Sequence, residues 1–544
     1  MLTRIAGGRI IDPANGQDAV GDVWMQDGRT VEKPADARAD VTYDAANKIV
    51  MAGAIDIHSH IAGWNVNTAR LLLPEHHSAA APRPTTTPLS QIGWPAFETG
   101  CLYAAMGFTT VVEPAVSPHH ALHAHLELAD TPVIDKAILA ILGNDDYLLN
   151  LLRTHESSTA IEDYVAWVLD MSRAIGIKVV NAGGAAAFKD NVRTFSFDDV
   201  VPHYGVSSRQ IVKALQQAVH NLAVPHPLHL HCNNLGLAGN VETALTTIAA
   251  AEGLPLHLAH LQFYSYGTEG KRGFSSAAAR LAEAVNASTS VTVDVGQVMF
   301  GQTVTISSDV LRQFNARNHA RPRKWLICDG DANGAGIVPY AYRRSDFHNA
   351  VQWAAGLELF LLIHDPSRVF FTTDHPNGAP FTSYPEIFAL LMSRDLRAEW
   401  IVDLPEAAMA ATTLRSIARE YTLAEIATMT RAAPAKLFGL SDRGHLAPGA
   451  LADVAVYEDT PDRARMFRAA ALVFKDGDLV VRDGQVTNHR YGRALTVAPE
   501  RDRAIDRRMQ AYYEERYGLS DDFLKVPAHA LGRPEPFEFV RCRT

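Results

Sequence analysis

From about residue 50, short apolar runs recur along the chain between stretches with helical spacing. The runs are Ile49–Ile57, Phe108–Glu113, Ala137–Leu142, Gly176–Val180, Leu228–Cys232, Leu256–His260, Ser290–Val295 and Val369–Thr373. Nearly every position in them is apolar, the pattern of a parallel strand covered on both faces rather than one. Helical candidates between them include Ala96–Met106, Ser208–Leu222, Val241–Glu252 and Phe347–Ile363, with Ser207 or Ser208 placed to cap the second. Eight such alternations predict an α/β fold, a parallel sheet closed into a (β/α)8 TIM-type barrel. Polar residues immediately after several strands favour that closure over an open doubly wound sheet.

The pattern differs at the two ends. Residues 1–50 alternate apolar and polar positions around Asp-Pro, Asn-Gly and Asp-Gly turns, which predicts short antiparallel strands. The same texture returns in Gly449–Tyr457, Ala471–Phe474 and Leu479–Val481. The expectation is one small β-sandwich domain built from residues 1–50 and 436–496, beside a catalytic barrel over 51–435. Residues 497–544, with a charged helix over Arg501–Tyr517, are expected to be an extension that contacts other subunits. The Pro- and His-rich loop 61–95 is expected to act as a lid or substrate wall. The basic stretch Arg312–Lys324 is expected to be a solvated loop, with contact to an acidic substrate or partner as the alternative.

Composition narrows the class. The chain has 544 residues, 47% hydrophobic and 20% charged, which suits a large globular enzyme. A net charge of −10 with both signs interspersed argues against nucleic acid or an anionic membrane as partner. No apolar run reaches the ~20 residues needed to span a bilayer. Four scattered cysteines without a C-x-x-C pair predict neither a disulfide framework nor a zinc knuckle and fit a reducing cytoplasm.

The 23 histidines carry more information, because many follow the β-like runs. His58 and His60 end the first run as His-x-His, and alternate strand residues share a face. Two imidazoles there could share a metal ion, or could simply occupy a loop. Lys178 lies inside the fourth run, where an ammonium must be paired, neutral or snorkelling. His231 and His260 close the fifth and sixth runs. His229 and His257, deeper in the same runs, are expected to be packed or supporting, and Cys232 points away from His231. Asp374 follows the eighth run, where a carboxylate can bind metal and move a proton. Glu113 and Asp294 also end strands, with turn capping or support of a ligand as the expected roles.

Together these positions resemble the two-metal site of the amidohydrolase superfamily. Gly444-His-Leu-Ala-Pro-Gly-Ala-Leu-Ala-Asp-Val-Ala-Val456 resembles its returning β-domain. Longer strings are similar to the alpha-subunit family of formylmethanofuran dehydrogenases and formyltransferase/hydrolase complexes. They include Gly-Ala-Ile-Asp-Ile-His-Ser-His, Ile-Lys-Val-Val-Asn, His-Cys-Asn-Asn-Leu-Gly, Thr-Val-Asp-Val-Gly-Gln-Val and Thr-Thr-Asp-His-Pro-Asn. The segment Trp325–Gly336, with Cys328, departs from that pattern, so one pocket wall is expected to differ.

The resemblance implies two divalent ions, zinc in the family. His58, His60 and Asp374 would hold one, His231 and His260 the other, and a carboxylated Lys178 would bridge them. Asp374 would also be catalytic, and Asn233, Asn234, His375 and Asn377 would contact substrate. The implied reaction releases formate from an N-formylated furan-type carrier of the methanofuran or methylofuran kind, or runs in reverse, beside other subunits. A cyclic-amide hydrolase of the dihydropyrimidinase or hydantoinase type is the alternative. A scaffold without activity would not need the complete ligand set.

Overall fold

The computed structural model describes residues 1–35, 38–72, 96–190, 192, 195–307, 336–532 and 536–542. The stretch 312–324, Cys328 and most of the loop between 73 and 95 lie outside them.

Among the described residues, eight parallel strands pair in sequence order: Ala54–Asp56, Phe108–Val116, Asp135–Leu142, Gly176–Val180, Leu228–His231, Leu256–Leu258, Val291–Asp294 and Val369–Phe370. A parallel bridge between Ser59 and His375 joins the eighth strand back to the first. The sheet therefore closes, as the run of two-faced apolar segments predicts. Helices such as Ser208–Asn221 alternate with the strands. That helix begins at Ser207 with a reciprocal capping box to Gln210, which satisfies two otherwise orphaned amide donors.

The apolar run 49–57 serves two sheets. Lys48–Ala52 pairs with Val454–Glu458, antiparallel, in a nine-stranded sheet made from both chain ends. The chain then crosses at Gly53 into the barrel, where the first strand is only Ala54–Asp56. Gly53 is forced by proximity, because a Cβ there would lie 2.1 Å from Thr109 Oγ1. One apolar stretch thus ties the end-built sheet to the strand that carries His58 and His60.

The barrel's N-terminal face carries a buried ion network. Lys475 Nζ, from the end-built sheet, donates to Asp135, Asp453 and Asp476 at 3.1, 3.1 and 3.2 Å. Arg443 reaches Asp135 at 3.0 Å and holds Glu538 through two bonds of 2.8 and 2.9 Å. Lys475→Ala would leave buried carboxylates unpaired, so a loss of about 3–5 kcal/mol is expected in urea unfolding. Burial alone would raise the Asp135 pKa, but Lys475 and Arg443 hold it well below the usual carboxylate range. The contribution of Asp135 is therefore complete above the unfolded value, about pH 4, and is lost as pH falls through the lower folded value. The gap between wild type and Lys475→Ala should accordingly narrow in strong acid.

The C-terminal segment stays on its own barrel. Ala494–Thr496 pairs with the start of the third barrel strand, below the point where the fourth strand takes over that edge at Leu139. Phe537–Phe539 pairs with Ala494–Thr496 in turn. Between them runs the helix Ala504–Tyr517. No helix among the described residues is long and apolar enough to cross a membrane.

Candidate active site

The polar residues gather where the parallel strands end, the face on which barrels of this type place chemistry. His58 and His60 follow the first strand in a bend, and their Nε2 atoms lie 3.0 and 3.2 Å from Asp374 Oδ1. Each ring is fixed from behind by a carboxylate. His58 Nδ1 lies 2.9 Å from Asp294 Oδ2, and His60 Nδ1 lies 3.0 Å from Glu113 Oε1. Glu113 also accepts the Ile61 and Ala62 amides at 2.6 and 2.9 Å, so it positions the backbone that follows His60. A carboxylate behind an imidazole fixes its tautomer and raises its basicity as a ligand.

Asp294 is the hub beneath the site. Besides His58, it meets His257 Nε2 at 3.0 Å and accepts the His260 amide at 2.5 Å. His229 bridges His58 and His226 at 3.0 Å on each side, and His226 stacks on Phe438. Burial drives the pKa of His226, His229 and His260 well below the ordinary histidine value, so these rings are neutral. The Thr-Val-Asp-Val-Gly string has a second function at Gly296. A Cβ there would lie 2.4 Å from His260 Cβ. His260 itself takes a left-handed φ of 36°, and Asp374 one of 52°.

His260 and His231 complete the cluster. Their ring centroids are 4.7 Å apart, and His260 lies 5.4 Å from His58. Lys178 is buried on the fourth strand, in register with His229. Burial brings its pKa down to about 8 even though Asp294, Asp374 and Glu113 pull the other way. A sizeable neutral fraction near physiological pH makes Nζ a nucleophile. Asp374 is held well below the usual carboxylate range, because His260, His58 and His60 outweigh its burial. Burial opposes protonation of His60, but Glu113 and Asp374 raise its pKa to about 9.

The residues fit a divalent metal ion. His58 Nε2 and Asp374 Oδ1 are buried and make no hydrogen bond, although they are within contact of each other. His260 Nδ1 is likewise buried without one. Donor atoms that converge without sharing protons are a ligand set for a cation. His58, His229 and Asp294 form a second convergent group. Their atoms, however, are engaged with one another and with His226 and His257, whereas His58, His60 and Asp374 face a cavity of about 560 Å³. Lys178, His231 and His260 line the same cavity.

Of the expected substrate contacts, Asn377 lines this cavity; its Oδ1 accepts the Ile306 amide at 2.6 Å. The other side chains are turned into the fold. Asn233 bridges Asn181 and Ser208 at 2.8 and 3.1 Å, and Asn234 donates to Thr243 at 2.8 Å. His375 accepts the Phe381 amide at 3.3 Å and lies edge-on to its ring. Cys232 is buried, and its thiol is pushed up to about 12 by desolvation, so it remains protonated.

The helix Ala504–Tyr517 brings Tyr512, Tyr513 and Tyr517 to the same cavity. Only the i, i+4 spacing of Tyr513 and Tyr517 hints at this in the sequence. Replacing Asp294 by Asn should loosen His58 and His260 together. A 10- to 100-fold fall in metal affinity, roughly, is expected in competition with a chelator.

Residues 41–487 match the model of the Amidohydrolase family. The chain belongs to that family. It is 50% identical to the Fhc alpha chain of the formyltransferase/hydrolase complex of Methylorubrum extorquens, over 100% of both chains. It is 36% identical to "Protein FwdA" of Methanocaldococcus jannaschii, over 95% of this chain and 97% of that one. Among solved structures, a chain of the Methylorubrum extorquens formyltransferase/hydrolase complex FhcABCD, crystallised with methylofuran, superposes with a TM-score of 0.93. That match is also 50% identical and covers 100% of both chains. Both the barrel and the end-built sheet are therefore those of an amidohydrolase.

Proposed function

We propose that this chain hydrolyses the N-formyl group of a furan-type one-carbon carrier, releasing formate and the free aminomethylfuran, as one component of a formyltransferase/hydrolase-type complex. The reverse condensation uses the same site. What carries the reading is the convergence of His58, His60 and Asp374 on one cavity with Lys178, His231 and His260, in a chain alike from end to end to one component of such a complex.

In this reading His58, His60 and Asp374 hold one divalent ion and His231 and His260 a second, with zinc implied by the family resemblance. Lys178 Nζ, in its neutral form, adds carbon dioxide, loses a proton and presents anionic oxygens between the two. Bound there, such ions would polarise the formyl carbonyl and acidify water. The protein does the rest. Glu113 and Asp294 keep the imidazoles aimed at the cavity. Asp374 takes the proton of the attacking water and delivers it to the departing nitrogen, which leaves as a neutral amine. The extension 497–544 exposes Leu519 and Phe523 and is where we place contact with partner subunits.

The test compares two substrates on the metal-loaded protein: N-formyl-aminomethylfuran, followed by formate release, and dihydrouracil, followed by ring opening. Formate release alone supports the proposal. Ring opening without formate release favours a cyclic-amide hydrolase instead.

A further inference from the structure

The general family match ends at residue 487, yet the outer wall of the cavity comes from beyond it. Tyr512, Tyr513 and Tyr517 project from the C-terminal helix onto Tyr147, Tyr164 and Trp167, and all six line the cavity that holds the metal-ligand candidates. Their rings form a continuous set. Tyr147 lies 4.7 Å from Tyr164 and 5.0 Å from Tyr512, and Trp167 stacks on Tyr164 and Tyr513 at 6.3 and 6.2 Å. Tyr513 and Tyr517 are 5.5 Å apart.

Several of the hydroxyls are anchored at the rim. Asp146 accepts Tyr512 and Tyr204 at 2.7 and 2.6 Å, and Asp145 accepts Tyr164 at 2.8 Å. Tyr513 Oη meets His119 Nε2 at 3.3 Å. With these polar ends tied, what the wall has to offer a ligand is ring surface. Aromatic faces and edges favour flat π-systems over flexible alkyl groups of equal size, through offset and edge-on contacts.

We propose that the helix Ala504–Tyr517 is the specificity element of this enzyme, whose tyrosines hold the flat ring attached to the formamide while the metal-ligand cluster acts on the formyl group. This rests on the formamide reading above. The extension would then decide which amide a common amidohydrolase centre receives, with Tyr513 central because it touches Trp167, Tyr517 and Tyr512.

The test measures kcat/KM for N-formylfurfurylamine and for ring-free N-formylbutylamine on the full-length metal-loaded protein. In Tyr513→Ala the ratio of the two should fall about tenfold, mainly through KM of the furan substrate. Tyr513→Phe should restore the ratio. Melting temperature and metal content establish that each variant is folded and loaded. An unchanged ratio in Tyr513→Ala overturns the proposal. If the wild type hydrolyses neither compound, the formamide reading fails, and calorimetric binding of furfurylamine against butylamine then decides the inference alone. A ring preference lost in Tyr513→Ala upholds it, and no ring preference in the wild type rejects it.

Discussion

Asp374→Asn is expected to lower formate release by about 10³-fold while the protein keeps its metal. The substitution preserves shape and leaves an oxygen close to His58 and His60, which lie 3.0 and 3.2 Å from Asp374 Oδ1 in the native site. What it removes is the ability to hold a proton. The native carboxylate is held ionised by His260, His58 and His60, so it is ready to accept the proton of the attacking water. An amide cannot do so, and general acid–base assistance of this kind contributes about 10²–10⁴-fold. Formate release and metal content measured on one preparation separate the two roles. Turnover like that of the wild type in Asp374→Asn would refute the proton-transfer assignment.

Lys178→Met should be nearly as damaging, for a different reason. Methionine fills a similar volume in the apolar fourth strand and removes a buried amine, so folding should not suffer. It cannot add carbon dioxide, and the anionic oxygens that would lie between the His58–His60 and His231–His260 halves are lost. The expected result is a folded protein short of metal whose kcat is lower by at least about 10²-fold, in the range of losses from removing a principal catalytic group. Inductively coupled plasma analysis beside circular dichroism tests this. A variant that is fully loaded and active would show that Lys178 is only a buried core residue.

The eight barrel strands were legible because a parallel strand buried on both faces is apolar at almost every position, and the chain contains eight such runs. The boundary at Gly53 was not legible. A single apolar run carries no mark of where it leaves one sheet for another, and the reason lies in Thr109, distant in sequence. The same holds for the site. His58, His60, Lys178, His231, His260 and Asp374 stood out because each follows or interrupts an apolar run. The hub role of Asp294 depends on His58, 236 residues away, and on His257 and the His260 amide. Asn233 and Asn234 looked like substrate contacts by residue type and position. Their side chains instead satisfy Asn181, Ser208 and Thr243, and Asn234 takes a left-handed φ of 71°. The wall tyrosines were hidden for a plainer reason: a helix rich in charge reads as solvated, and only tertiary structure shows which of its faces is covered.

The account stands or falls on two ions held across Lys178. Anomalous diffraction from crystals of the metal-loaded protein measures this directly. It should show two anomalous peaks in the cavity, one against His58, His60 and Asp374 and one against His231 and His260, with density for a carboxylated Lys178 between them. A single peak beside an unmodified lysine, or metal bound at His229 and Asp294 instead, would contradict the account.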